Sequence, residues 1–246
     1  MKTLLIVGAQ KNYIKMWQLY LAGVFNIKKI VDMPLGEFQK LEFDMCDTII
    51  CKGTVESDDF LRVILQLNKK LGGGHLSHAA VFKKRCAKPF IMSDAGLNIA
   101  PDLEGKKHIL QNAISLARKL KLGWKVINFI TPSSKINPKI KSSTDAEILE
   151  KFVAENYPGA TAYHNAFDVC FSKKSQEEKK IFMPYPNILV CDDIDQGNST
   201  WKAMTIFGRV SVAAFVVGNP LMPHVILNSR SDSKSDKIWS VKIAAI

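Results

Sequence analysis

Short apolar runs alternate along the chain with longer segments in which apolar residues recur every three or four positions. The short runs are rich in β-branched residues and are bounded by turn residues, a pattern that predicts β-strands. The predicted strands are Thr3–Gly8, Ile27–Val31, Thr48–Cys51, Ala79–Phe82, Phe90–Met92, Lys125–Ile130, Asp168–Phe171, Ile188–Cys191 and His224–Asn228.

The longer segments between these strands predict amphipathic helices. In the first of them, Ser57 is a candidate N-cap and Gly72–Gly74 a stop signal. The predicted helices are Asp58–Lys70, Gly105–Leu120, Thr144–Asn156 and Ser199–Val217. In the last one, Ala203, Phe207, Val210 and Ala214 would form an apolar stripe.

Strands that are apolar throughout and alternate with helices indicate a mainly parallel sheet covered on both faces. The fold class is therefore α/β, and the number of strands fits two α/β domains with a cleft between them. In such folds, ligands bind beyond the carboxyl ends of strands, near helix N-termini.

The bulk composition predicts an ordinary globular protein. Of 246 residues, 47% are hydrophobic and 23% are charged. No apolar run approaches the roughly 18 residues that a bilayer requires. The opening MKTLLIVGAQ is typical of a first strand rather than a signal peptide. We therefore expect a cytoplasmic protein without a membrane partner.

Cysteine and histidine spacing argues against a metal or disulfide framework. The five cysteines are odd in number, scattered and without a CxxC pair, which predicts reduced thiols in the core. His75 and His78 are three positions apart, but no third ligand lies nearby in sequence. No metal site is predicted.

The net charge of +11 suggests an anionic partner. No basic motif with interleaved aromatic residues is present, so nucleic acid is not predicted. A small phosphorylated molecule is compatible with this charge.

The stretch VILNSRSDSKSDKIWS, residues 225–240, places polar residues between a strand and a helix. Ser229 and Arg230 directly follow the strand, and an arginine beside helix N–H groups is typical of a phosphate site. Asp236 lies in the first turn of the next helix, where it can act as a general base on a thiol or hydroxyl. The same spacing fits a capping box with Ser233, and the residues alone leave both roles open.

A second strand-to-helix junction is CDDIDQGNSTWK, residues 191–202. Ser199 as an N-cap would explain most of it. In the functional interpretation, Gly197 and Asn198 allow close approach of a ligand and Lys202 follows one turn later. No GxGxxG, GxxxxGK[ST] or GxSxG motif occurs in the chain.

These stretches, taken in order, resemble the phosphate acetyltransferase/phosphate butyryltransferase family, and its butyryl branch in particular. The matching segments are LSHAAVF, SDAGLNIAPDLEGKKHILQNAISLA, STDAEIL, DVCFS, DIDQGNSTWKAM and NSRSDSKSDKIWSVKIA. The resemblance implies an isocitrate/isopropylmalate dehydrogenase-like fold of two three-layer α/β/α domains with the active site in the cleft. The first would comprise residues 1–75 plus 215–246 and the second residues 76–214.

The resemblance also implies a reaction and its residues. Acyl-CoA and phosphate would give acyl phosphate and CoA, with no metal or cofactor and with CoA as a substrate. The catalytic serine, arginine and aspartate of the family fall on Ser229, Arg230 and Asp236. Substrate contacts fall on Arg62, Gly197, Asn198 and Lys202. A homodimer or larger homo-oligomer is expected by the same resemblance.

Two departures from the family pattern keep an alternative open. Residues 163–165, Tyr-His-Asn, stand where the family has a Gly-Pro-Leu turn, and Asp192 replaces a proline before Asp193. The segment before Cys51 is also expected to be shorter than in family members. The alternative is a non-catalytic relative that binds CoA or an acyl phosphate. A dehydrogenase on the same fold is a weaker hypothesis, because no metal-binding carboxylate set is evident.

Overall fold

A computed structural model of the protein describes residues 2–9, 14, 17, 27–38, 47–83 and 88–245. Its strands are β1 (Lys2–Val7), β2 (Ile27–Met33), β3 (Thr48–Lys52), β4 (Ser77–Lys83), β5 (Phe90–Ser93), β6 (Val126–Ile130), β7 (Thr161–Asn165), β8 (Ile188–Val190), β9 (Ser211–Val217) and β10 (His224–Ile226). Its helices are α1 (Leu35–Phe38), α2 (Ser57–Lys70), α3 (Leu103–Lys119), α4 (Lys141–Asn156), α5 (Phe167–Phe171), α6 (Lys173–Lys179), α7 (Ile194–Ile206) and α8 (Lys234–Ala244). The fold is mixed α/β, as predicted.

The chain separates into two compact units. Unit 1 comprises residues 1–76 and 211–246, and unit 2 comprises Ser77–Val210. Among the helices that the structure describes, none is long and apolar enough to cross a membrane.

In unit 1 the strands are ordered β2-β1-β3-β10-β9. Strand β1 is parallel to β2 and β3, and β3 is parallel to β10, whereas β9 is antiparallel to β10. All five residues of β3 are buried, as expected for a β-branched strand inside a covered parallel sheet. Ile226 pairs with Cys51, so the carboxyl ends of β3 and β10 lie side by side.

In unit 2 the strands are ordered β4-β5-β8-β6-β7, parallel except for the β4–β5 pair. Helix α3 begins where the side chain of Asp102 accepts a hydrogen bond from the N–H of Gly105 at 2.8 Å. The face predicted from its period is confirmed as buried: Ile109, Ala113, Leu116 and Leu120.

The predicted helix Ser199–Val217 is wrong in both its start and its end. Helix α7 is capped by Asp193, whose carboxylate accepts from the N–H of Gln196 at 2.8 Å, so Ser199 is not the N-cap. It ends at Ile206, and Arg209, at a φ of 48°, turns the chain into strand β9. Phe207 is 89% exposed, so the predicted apolar stripe does not exist.

Three smaller predictions also differ from the structure. The predicted strand Asp168–Phe171 is the short helix α5, because its apolar residues fill one turn; β7 precedes it and was missed. Helix α2 is capped by Glu56, without a side-chain hydrogen bond, and Ser57 is its first residue. Helix α4 starts at Lys141, before Thr144, and Ser143 lies inside it, accepting from the N–H of Asn137 at 2.9 Å.

Candidate active site

A pocket of about 220 Å³ lies in unit 1, at the carboxyl ends of β3 and β10. The pairing of Ile226 with Cys51 brings these two strand ends together, although they are far apart in sequence. The pocket is lined by Cys51, Lys52, Gly53, Thr54, Asn228, Ser229, Arg230 and Lys237. Two of the predicted catalytic residues, Ser229 and Arg230, therefore share one wall.

The loop after β10 is held by Asp232. One of its carboxylate oxygens, Oδ2, accepts from the N–H of Ser229 at 2.7 Å and from Nδ2 of Asn228 at 3.1 Å. The hydroxyl of Ser229 is 3.0 Å from that of Ser231. The loop thus carries its own carboxylate anchor, which the sequence analysis did not identify.

Arg230 is exposed and only weakly engaged by the protein. Its guanidinium forms an ion pair with Glu56, and these two side chains are 56% and 68% exposed. An exposed pair of this kind contributes little, because solvent screens it. The Nζ of Lys237 donates to the Arg230 carbonyl at 3.4 Å, which ties α8 to the loop. Arg230 can therefore exchange Glu56 for an anionic ligand.

Lys52 is the functional candidate that sequence reasoning missed. It ends strand β3 and is only 4% exposed, and its Nζ donates to the carbonyl of Val55 at 3.0 Å. Burial lowers the pKa of Lys52, and the positive charge of Arg230 lowers it further. The signal in the sequence was a lysine directly after the apolar run of β3.

Asp236 is buried inside a capping box. Its Oδ2 accepts from the N–H of Ser233 at 3.2 Å and from the Ser233 hydroxyl at 2.6 Å, and its Oδ1 accepts from the N–H of Val212 at 3.1 Å. The Ser233 hydroxyl accepts in turn from the N–H of Asp236 at 3.1 Å. The capping role is confirmed. The next residue, Lys237, lines the pocket, whereas Asp236 does not. The role of Asp236 as a base therefore stays a prediction.

Arg62 lies on the exposed side of α2. Its side chain is 71% exposed, and its Nη1 is 3.4 Å from Oδ1 of Asp59, one turn earlier. It is not part of the wall of the unit 1 pocket. The prediction that it contacts a substrate remains untested by this geometry.

Gly197 and Asn198 lie in the first turn of α7 in unit 2. A Cβ at position 197 would stand 2.1 Å from the backbone oxygen of Asp94, so glycine is required there. The Nδ2 of Asn198 donates to the carbonyl of Ala95 at 3.4 Å. The close approach that these residues permit is to the loop after β5. Lys202 lies farther along α7, with its ammonium 5.3 Å from the centre of the Trp201 ring.

The turn at Asp192, which departs from the family pattern, belongs to a network of charges around the buried Lys106. Lys106 is 2% exposed, and its ammonium contacts both Asp192 and Asp145, the latter at 2.7 Å. Lys141 also pairs with Asp145. Burial alone would raise the pKa of Asp145, but hydrogen bonds from both lysines outweigh burial and lower it. The adjoining cavity of about 10 Å³ has room for no more than a water molecule.

The described cysteines are buried thiols rather than nucleophiles. Burial raises the pKa of Cys51 to about 12 and also raises the pKa of Cys191. The prediction of core thiols is confirmed for Cys51, Cys170 and Cys191, whereas Cys46 and Cys86 lie outside the described residues. Within those residues, no group of three or more His, Cys, Asp or Glu side chains is placed to hold a metal ion.

The family model described as Phosphate acetyl/butaryl transferase matches residues 38–245. The chain belongs to this family. The resemblance inferred from the ordered motifs is confirmed, and the members that it matches are named as phosphate acyltransferases.

Two curated relatives represent the two branches of the family. A probable phosphate butyryltransferase of Bacillus subtilis (strain 168) is 28% identical over 203 residues, which cover 80% of this chain and 67% of the relative. A phosphate acetyltransferase of Thermotoga maritima is 25% identical over 230 residues, covering 89% and 77%.

Among solved structures, a branched-chain phosphotransacylase from Enterococcus faecalis V583 superposes with a TM-score of 0.81 at 26% identity, covering 99% of this chain and 98% of that one. A putative 4-hydroxythreonine-4-phosphate dehydrogenase from Salmonella typhimurium, at 12% identity and a TM-score of 0.58, shares the fold alone. The similarity in fold therefore covers 99% of the chain, and the similarity in sequence to the two curated relatives covers 80% and 89% of it.

Proposed function

We propose that the protein transfers a short or branched acyl group reversibly between CoA and inorganic phosphate. The reaction is acyl-CoA plus phosphate giving acyl phosphate plus CoA. Membership of a phosphate acyltransferase family supports the reaction class. The observation that carries the assignment to a site is the unit 1 pocket, which has Ser229 and Arg230 on one wall.

The chemistry needs a place for phosphate and a donor for developing negative charge. A phosphate oxygen attacks the thioester carbonyl, the C–O bond forms, and the C–S bond breaks to release the CoA thiolate, which takes up a proton. Arg230 offers planar N–H donors that suit a phosphate, and the Ser229 hydroxyl can donate to the oxyanion. Binding both substrates in one geometry supplies much of the remaining acceleration.

In the reverse direction the CoA thiol must lose its proton before it attacks the acyl phosphate. We assign this proton transfer to Asp236, which matches the family aspartate. Asp236 lies in the first turn of helix α8, and the residue after it, Lys237, belongs to the pocket wall. Asp236 therefore combines a cap and a base in this proposal.

The proposal extends to CoA binding and to assembly. Arg62, Gly197, Asn198 and Lys202 are proposed substrate contacts, because they match the family pattern. The isocitrate/isopropylmalate dehydrogenase-like fold, with domains of residues 1–75 plus 215–246 and residues 76–214, is also part of the proposal and follows from the family resemblance. A homodimer or larger homo-oligomer in the cytoplasm is part of the same proposal.

The test is a thiol-release assay with phosphate and a panel of acetyl-, butyryl-, isobutyryl- and isovaleryl-CoA. We expect phosphate-dependent release of CoA, and the fastest substrate identifies the acyl preference. Arg230→Ala should lower kcat/KM by about 10²–10³-fold, because it removes a charged donor to the reacting group.

The matched control is Lys69→Ala, which removes a positive charge from an exposed position of α2 in the same unit and should leave turnover unchanged. If folded protein binds CoA but releases no CoA from any acyl-CoA of the panel, the protein is a non-catalytic CoA-binding relative instead of an enzyme. Normal turnover by Arg230→Ala would contradict the assignment of the active site to the unit 1 pocket.

A further inference from the structure

Lys52 is a buried ammonium at the end of strand β3. It is 4% exposed, and no carboxylate pairs with it among the residues that the structure describes. A buried charge is normally paired or neutralised, because burial removes the water that stabilises it. A buried lysine that no described carboxylate neutralises is therefore suited to a ligand of opposite charge.

The surroundings of Lys52 add to its positive charge instead of compensating it. Burial lowers the pKa of Lys52 below its ordinary value of 10.5, and the charges of Arg230 and Lys237 lower it further, against an opposite effect of the Cys51 thiol. Both cations line the pocket together with Lys52. Three basic side chains, from the end of β3, the loop after β10 and the start of α8, thus surround one space.

The hydrogen-bonding capacity of these groups fits an oxyanion. A lysine ammonium has three donors, and within the described part of the chain only the Val55 carbonyl accepts one of them, at 3.0 Å. The Ser229 hydroxyl and the Arg230 guanidinium are further donors on the same wall. A tetrahedral anion with several acceptor oxygens can use donors from all three residues at once.

We propose that Lys52 is a second cationic ligand of the phosphoryl group, acting with Arg230 on inorganic phosphate and on the phosphate of the acyl phosphate. This inference rests on the proposed function only in naming phosphate as the substrate. Bound phosphate would supply a counter-ion to Lys52, so the anion favours the charged form of the lysine. The pKa of Lys52 lies below its ordinary value of 10.5. Phosphate affinity should therefore weaken as the pH rises through this pKa, because the lysine loses its charge.

The test compares wild type with Lys52→Met, which keeps a long apolar side chain and removes the charge. Thermal unfolding is followed with increasing inorganic phosphate and, separately, with increasing CoA. Wild type should gain Tm with phosphate, since a ligand that binds only the folded state stabilises it. Lys52→Met should have an equal or higher Tm without phosphate, because the cost of burying the ammonium is gone, and should lose the phosphate-dependent gain.

The kinetic readout separates this role from a purely structural one. Lys52→Met should raise the KM for phosphate about 10-fold or more and leave the KM for acyl-CoA within about twofold. Its phosphate KM should also lack the rise at alkaline pH that titration of Lys52 causes in wild type, whereas the pH dependence due to ionisation of phosphate itself should remain. Lys69→Met, which removes an exposed lysine from the same unit, should match wild type in every readout.

Several outcomes would overturn the inference. The first is that phosphate does not raise the Tm of wild type. The second is that Lys52→Met keeps both the phosphate-dependent increase in Tm and the wild-type KM for phosphate. The third is that Lys52→Met changes only the binding of CoA, which would assign the lysine to the phosphates of CoA. Lys52→Gln repeats the comparison if the methionine variant does not fold. A Lys52-dependent phosphate shift in a protein without turnover would sustain the inference while contradicting the proposed function.

Discussion

Gly197 packs helix α7 directly against the backbone of the loop after β5. Any larger side chain would place its Cβ 2.1 Å from the backbone oxygen of Asp94, which cannot move as a side-chain tip would. Asp94 is itself fixed, because its carboxylate accepts from the N–H groups of His78, Gly96 and Leu97 at 2.7–2.9 Å. The contact between α7 and the loop after β5 therefore cannot accommodate a larger side chain at position 197 without a shift of the backbone.

We expect Gly197→Ala to lower the free energy of unfolding by about 1–3 kcal/mol through overpacking. Denaturant titration measures this change. Gly36→Ala is the matched control, since a Cβ at position 36 meets nothing within 4 Å, and it should be neutral or slightly stabilising. Equal stability of Gly197→Ala and wild type would show that the loop can yield.

Asp236 combines two roles that separate variants can resolve. Ser233→Ala should cost about 1 kcal/mol by removing the cap, and Asp236→Ala about 1–3 kcal/mol, because the N–H of Val212 also loses its acceptor. Asp236→Asn keeps one of the two acceptor oxygens and removes the base, so turnover should collapse at a stability cost no larger than that of Asp236→Ala. Near-normal turnover by Asp236→Asn would restrict Asp236 to capping.

At the level of elements, the ion pairs of the buried Lys106 with Asp145 and Asp192 join α3, α4 and the turn after β8. Removing the lysine would leave the carboxylates of Asp145 and Asp192 close together, with only the exposed Lys141 still paired to Asp145. Lys106→Met should therefore destabilise the protein by about 3–5 kcal/mol in chemical denaturation. Lys151→Met breaks only an exposed pair with Glu147 on α4 and should change stability by less than about 1 kcal/mol. Similar effects of the two variants would contradict this account.

Elements with a strong period were predictable, and junctions were not. The buried face of α3 follows directly from its spacing, and β3 from its continuous apolar run. The chain between Ser199 and Val217 carries apolar residues compatible with either period, and Arg209 in a left-handed conformation divides it into a helix and a strand. A non-glycine residue at positive φ leaves no reliable signal in a sequence.

At the level of the whole molecule, the charge of +11 has a local counterpart in the unit 1 pocket. Lys52, Arg230 and Lys237 converge there because two parallel strands end side by side and a helix starts beside them. A phosphate and the anionic CoA are substrates that such a charge attracts. The composition by itself did not identify a partner, whereas the structure locates part of the positive charge at this pocket.

The sequence by itself determined the α/β class, the main strands, the family and the loop with Ser229 and Arg230. Local periodicity and ordered motifs are properties of neighbouring residues, so they can be read along the chain. Tertiary structure alone decided that Lys52 is buried beside Arg230, that Asp192 meets Lys106, and that Gly197 touches Asp94. Each of these contacts joins residues far apart in sequence, and strand pairing or helix packing creates it only after the chain has folded.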